Sequence, residues 1–271
     1  MTPRLQKLLL TLGGVSGLFL FLNRGSVMGV FGKAFDFAKA QAFTAALPPQ
    51  VRKWAPQILQ AAKKFSVDPW ALAAIMYRES MGGEAPGYYP RNDPGGTGDS
   101  IPRKPGNLYY KYADPKTGLP PDGKGWGRGL MQVDYGVHND WFAKGAQWWD
   151  PQVNIDKGAE ILAWNLKFFA SPPGQPIAVE QWRITTGKPE YKIQPWSVKY
   201  PRSGAWPTTV PDVRPLSGQQ LYEAAIAAYN VSFKGVQQAL GLGLPAEAGT
   251  SGQDYVSWFM TRIASWQKNF R

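Results

Sequence analysis

At 271 residues, 44% hydrophobic and 14% aromatic, the chain holds enough apolar surface for one substantial core and too much for a bare linker or a disordered tether. The absence of cysteine excludes disulfide scaffolds, thiolate nucleophiles and Cys-ligated zinc, and the single histidine, His138, argues against Ser-His-Asp catalysis and His-clustered metal sites. A net charge of +11 draws the molecule toward polyanions such as nucleic acid, anionic lipid or cell-wall polymer, but no dense basic block marks a nucleic-acid footprint.

In chain order, the first feature is the uncharged run Leu8 to Leu22, preceded by Arg4 and Lys7 and closed by Asn23 and Arg24. Fifteen residues fall short of the ~20 that span a bilayer and match the apolar part of a secretory signal. No small-x-small cleavage pattern follows closely, so an uncleaved short anchor stands beside the exported form. Residues 31–46 place Phe31, Phe35 and Ala38 at helical spacing, suited to a lipid surface or to an ordinary tether. Residues 1–47 are thus read as a signal or membrane anchor with its tether, and 48–271 as one soluble domain.

The body opens with Val51, Trp54, Ala55, Ile58, Leu59, Ala62 and Phe65, one apolar stripe that predicts a helix over 51–65. Asp68-Pro69 supplies a cap followed by proline at the first helical position, predicting a second helix from Trp70 to about Ser80, apolar nearly all round and therefore buried. Residues 84–124 carry eight prolines and seven glycines, and 171–218 carry nine prolines, so neither stretch forms a long helix. Further helices are predicted near 151–169, 217–229, 232–240 and 252–269. No internal repeat appears, and the pattern is that of a mainly α domain with two long loop-rich insertions.

Glu79 closes the apolar run ALAAIMYRES, where Ile75, Met76 and Tyr77 would withdraw solvent from its carboxyl group. Desolvation raises a glutamate pKa, and a glutamate still protonated near neutral pH can donate to a leaving oxygen. The competing reading pairs Glu79 with Arg78 or a loop cation at the helix end.

Three short motifs in order, Tyr77-Arg78-Glu79-Ser80, Gly129-Leu130-Met131-Gln132-Val133-Asp134 and Ala228-Tyr229-Asn230, resemble those of the goose-type lysozymes and related lytic transglycosylases. GWGRGLMQVD at 125–134 resembles the goose-type version, and YVSWFMTRIASW at 255–266 is similar to the closing helix of that fold. The resemblance spans about 51 to 270, interrupted at 84–124 and 171–218. It implies a mainly α fold of the α+β lysozyme-like superfamily and cleavage of the β-1,4 bond between N-acetylmuramic acid and N-acetylglucosamine in peptidoglycan.

Carried over residue by residue, it makes Glu79 the general acid, with Ser80 orienting it. The turn with Gly129 and Met131 floors the sugar cleft, and Gln132 offers a donor and an acceptor to an acetamido group. Tyr229 and Asn230 match the pair flanking the acid and the sugar. For Met131 and Tyr229 the plain alternative is core packing. Asp134 matches an Asp of goose-type lysozymes and is the candidate base for inverting hydrolysis, which needs a second carboxylate. It serves equally as a cap before Gly136 to Trp141. Many transglycosylases lack it and close a 1,6-anhydro ring with the sugar's own hydroxyl. The loop that supplies a further Asp in goose-type enzymes is replaced here by 84–124, where Asp93, Asp99, Asp114 and Asp122 have no alignable partner.

The remaining aromatics, Tyr88, Tyr89, Tyr109, Tyr110, Trp126, Trp148 and Trp149, suit either glycan-stacking walls or core packing. His138 reads as a supporting or surface residue, and no metal or other cofactor is implied. GGTGDS at 95–100 lacks the Lys-Ser/Thr ending of a phosphate loop. The expected partners are peptidoglycan strands and, through the leader, a membrane, with action in the cell envelope or within a phage particle. A catalytically inactive wall-binding or virion module is the alternative, since a fold outlasts its chemistry.

Overall fold

The computed structural model describes residues 37–84, 114, 116, 120–121, 125–178, 207–250 and 254–268. The apolar run at 8–22, read as a signal or anchor, most of the stretches 84–124 and 171–218, and Asp93, Asp99, Asp122, Tyr88, Tyr89, Tyr109 and Tyr110 lie outside them. The protein is mainly helical, with helix at 64% of the described residues and only short strands. Two compact units are present, one within 31–161 joined by 265–268 and the other within 162–264. Among the described residues no helix is long and apolar enough to cross a membrane.

The first unit starts with α1 (Phe37–Ala46), whose Phe43 is fully buried with its ring 4.7 Å from that of Trp70, edge to face. The 51–65 stripe predicts one helix but forms two, α2 (Pro49–Arg52) and α3 (Ala55–Phe65). Pro56 explains the break: it lacks the N–H that would bond Arg52 O, and its ring would collide with that carbonyl in a continuous helix. Trp54 turns the corner and donates from Nε1 to Gly82 O at 2.8 Å. Ser66, left-handed at φ 55°, ends α3.

Asp68 then caps α4 (Pro69–Ser80) by accepting from Trp70 N at 3.0 Å, with Pro69 in the first turn. Every residue from Pro69 to Met76 is buried, as the all-round apolar sequence predicts. Gly82 at φ 64° follows; a side chain there would put Cβ 2.1 Å from Gln50 O, so only glycine lets the chain pass. Strands β1 (Gly127–Arg128) and β2 (Val133–Asp134) form a tight antiparallel hairpin, with Gly127 opposite Asp134. Short α5 (Asn139–Ala143) leads to the 20-residue α6 (Pro151–Ala170), capped by Asp150 Oδ1 accepting from Val153 N at 2.9 Å.

The second unit holds the C-terminal part of α6, where Asn165 Nδ2 donates to Ala225 O at 3.1 Å. A second strand pair, β3 (Ile177–Ala178) with β4 (Thr209–Val210), sits at the described ends of the second insertion. Helix α7 (Gly218–Gly241) is interrupted at Ser232, where φ 74° and ψ 158° depart from helical values, close to the predicted gap between 229 and 232. A 3-10 turn (Ala246–Gly249) packs on α7, and α8 (Tyr255–Lys268) closes the described chain.

Candidate active site around Glu79 and the Gly-Leu-Met-Gln turn

Glu79 is half-buried in the last turn of α4, next to Tyr77, whose ring meets Trp266 edge to face at 5.9 Å. The following residue, Ser80, is fully buried. Its hydroxyl donates to Leu130 O at 2.7 Å, with Met76 O at 3.2 Å as a second acceptor within reach, and accepts from Gly83 N at 3.2 Å. The helix end bearing Glu79 is thereby fastened to the hairpin turn. Ser80 acts through these bonds within the protein.

The turn itself is built by Gly129 and Gln132. Gly129 stands at φ 75° and Gln132 at φ 47°, and Gln132 N donates to Gly129 O at 3.2 Å. The Gln132 amide folds back across the hairpin, with Nε2 donating to Gly129 O at 2.8 Å and Oε1 so close to Gly127 that a Cβ there would lie 2.5 Å away. Met131 is fully buried, and a Cβ on Gly158 of α6 would meet its Cε at 2.6 Å, so the Met131 side chain packs on that helix.

Asn154 of α6 was not apparent from the sequence and organises the turn. Fully buried, it accepts from Met131 N at 2.8 Å through Oδ1 and donates from Nδ2 to Arg128 O at 3.0 Å, clamping both arms of the hairpin with one amide. Gly129 is needed for this: a Cβ there would sit 2.2 Å from Asn154 Nδ2. The available signal was an Asn and a Gly, 154 and 158, at i and i+4 on one helix, facing the turn together.

Arg128 is a second organiser of the hairpin that the sequence pattern does not signal. The residue is 2% exposed, donates from Nε to Gly125 O at 2.9 Å, and places its guanidinium 4.3 Å from the Tyr135 ring centroid, 5.0 Å from Phe142 and 5.6 Å from Trp148. This cationic plug in an aromatic box ties the hairpin to α5 and to the loop before α6. Trp126 and Trp148 are buried with it, whereas Trp149 is exposed.

Asp134 closes the turn that follows β2 and does not cap a helix, since α5 begins at Asn139 with His138 before it. Its Oδ1 accepts from Gly136 N at 2.7 Å and Val137 N at 3.1 Å, and its carbonyl accepts from His138 N at 3.0 Å. His138 precedes α5, and burial, followed by the nearby Lys157 charge and opposed by Glu160, lowers its pKa to about 4, so it is neutral at pH 7. Asp114 is described at the edge of the first insertion, where its Oδ1 accepts from Lys116 N at 2.7 Å.

Glu79, Ser80, Gly129, Met131, Gln132 and Asp134 thus belong to one unit. Tyr229, half-buried, and Asn230, exposed, lie on α7 in the other. Among the described residues no group of three His, Cys, Asp or Glu side chains is arranged to hold a metal ion. No protein-family model matches the chain, and no curated protein matches it.

Proposed function

We propose that this protein is a lysozyme-like glycosidase that cleaves the β-1,4 bond between N-acetylmuramic acid and N-acetylglucosamine in peptidoglycan, with Glu79 as general acid. One observation carries the reading: the Ser80 to Leu130 hydrogen bond sets the helix end bearing Glu79 against the Gly-Leu-Met-Gln turn. Two motifs separated by fifty residues in sequence meet in one place, as joint action on one substrate requires.

In this reaction Glu79 protonates the glycosidic oxygen as the bond to the leaving sugar breaks, and positive charge develops on the remaining sugar. Gln132 braces the turn through its Nε2 bond to Gly129 O, and the turn is also held by Asn154 and Ser80. The roles of Tyr229 and Asn230 rest on the motif resemblance alone. Asp134 already accepts two backbone N–H bonds through Oδ1, which gives that carboxylate a structural task. The sugar cation is resolved either by water, with a carboxylate as base, or by the sugar's own hydroxyl. The basic surplus of +11 suits an anionic wall, and the leader at 8–22 suits delivery to the cell envelope or a place in a virion.

Mass spectrometry of fragments released from purified peptidoglycan tests the proposal. Soluble disaccharide-peptides are expected, with reducing ends for hydrolysis or 1,6-anhydro ends for transglycosylation. Binding to the wall with no fragment released contradicts it and establishes a binding module instead.

A further inference from the structure

The unit within 162–264 carries an aromatic surface that the reaction above does not use. Trp164 and Phe168 of α6 are one helical turn apart and stack at 5.3 Å with their planes 16° apart. Phe233 of α7 closes on both, 5.3 Å from Trp164 and 4.6 Å from Phe168. Trp164 is 49% exposed and Phe233 38%. Large rings left this open in mutual contact form a patch rather than isolated surface residues.

The patch is rigid. The Arg214 guanidinium lies 4.1 Å from the Phe168 ring centroid and is fixed by Asp212 at 3.0 Å from Nε, by Ser171 Oγ at 3.0 Å and by Phe168 O at 3.3 Å from Nη1. Asp212 is anchored in turn by Gly174 N at 2.8 Å. On the other side, the backbone leaves helical geometry at Ser232, and the next residue is Phe233. The values φ 74° and ψ 158° fall in a region used almost only by glycine and are strained for a residue with a side chain. Strain of this kind persists where the surroundings over-determine it, and here the segment it shapes delivers a ring to the stack.

The surroundings select the occupant. Asn230, Ser232 and Lys234 are exposed in the segment that bears Phe233, and Lys167 is exposed beside Phe168. Rings interleaved with hydrogen-bonding groups suit a sugar, whose C–H face packs on aromatics while its hydroxyl and acetamido groups bond outward. A membrane-surface face also sets rings beside lysines, and the vesicle measurement below separates that occupant from a glycan. The flanking charges, Lys167 and Lys234, are both positive and complement an anionic strand.

We propose that Trp164, Phe168 and Phe233 form a glycan-stacking platform for a sugar unit of the peptidoglycan strand, with Lys167 and Lys234 facing the carboxylates of its stem peptides. The platform rests on the reading of the chain as a peptidoglycan-cleaving enzyme and adds a strand-holding contact to it. The test uses the full-length chain carrying Glu79→Gln, so that binding is read without cleavage, in co-sedimentation with purified peptidoglycan sacculi. Trp164→Ala and Phe233→Ala are expected to weaken sacculus binding by about tenfold each. Trp164→Tyr, which keeps a ring, should restore most of it, and thermal midpoints should stay at the parent value.

Equal binding by all variants overturns the platform. So does a loss of binding to phosphatidylglycerol vesicles with sacculus binding intact, which would assign the patch to a lipid surface. The two readings fail separately. If the chain with Glu79 intact releases muropeptides while the ring variants bind normally, the platform alone falls; if it releases none, the enzymatic reading falls whatever the rings do.

Discussion

The hydroxyl of Ser80 donates a 2.7 Å hydrogen bond to the carbonyl of Leu130, joining the residue after Glu79 to the turn that carries Gln132. Both groups are buried, so water cannot replace the bond once it is lost. Ser80→Ala removes the donor to Leu130 O and the acceptor for Gly83 N. Stability should fall by about 1–3 kcal/mol in urea denaturation. Turnover should fall further than folding alone explains, because the helix end and the turn lose their shared reference. Unchanged turnover at a temperature well below the midpoint would show that Glu79 does not depend on this fastening.

Gly129 and Asn154 form a second pair that must change together. Gly129→Ala places a Cβ 2.2 Å from Asn154 Nδ2 and forces a side chain to φ 75°, so it should destabilise by more than the roughly 1 kcal/mol typical of backbone misfit alone. Asn154→Ala clears that space but strands Met131 N and Arg128 O, at a cost of about 1–3 kcal/mol for each buried group. In a double-mutant cycle the combined loss should be smaller than the sum, since Asn154→Ala removes the atoms that Gly129→Ala strikes. Strict additivity would mean that the two residues do not meet.

How much of this was legible follows from the range of each signal. Helix α4 could be read because Asp68, Pro69 and an unbroken apolar run are local statements about local structure. The break between α2 and α3 escaped the apolar stripe, since periodicity records which face is buried and is blind to the missing N–H of Pro56. The interruption at Ser232 was visible as a gap between two helical patterns, but its strained backbone was not, because serine gives no sign of positive φ. Glu79, Ser80 and Gln132 came from motif wording. Asn154 and Arg128 did not, because their meaning lies in carbonyls and rings that only the folded chain brings to them.

His138 contributes a pH dependence to stability between about pH 6.5 and 4. Its pKa falls from 6.5 to about 4 on folding, chiefly because burial disfavours the charged ring. Between those values the unfolded chain binds a proton that the folded chain refuses. Stability contributed by this group is therefore complete above about pH 6.5, declines as the pH drops toward 4 and levels off below it, with a total of at most about 3 kcal/mol. Denaturation midpoints of the wild type and His138→Gln, compared from pH 7 to pH 4, should converge at the acid end by that difference. Parallel pH profiles would contradict it.

The most direct test of the central claim is the rate of muropeptide release by Glu79→Gln against wild type on the same purified peptidoglycan. Glutamine keeps the size and polarity of the side chain but has no acidic proton, so release should drop at least about a hundredfold while the circular dichroism spectrum and thermal midpoint stay those of the wild type. Release at the wild-type rate by a folded Glu79→Gln protein would remove Glu79 from the chemistry and, with it, the reason for setting this helix end against the turn.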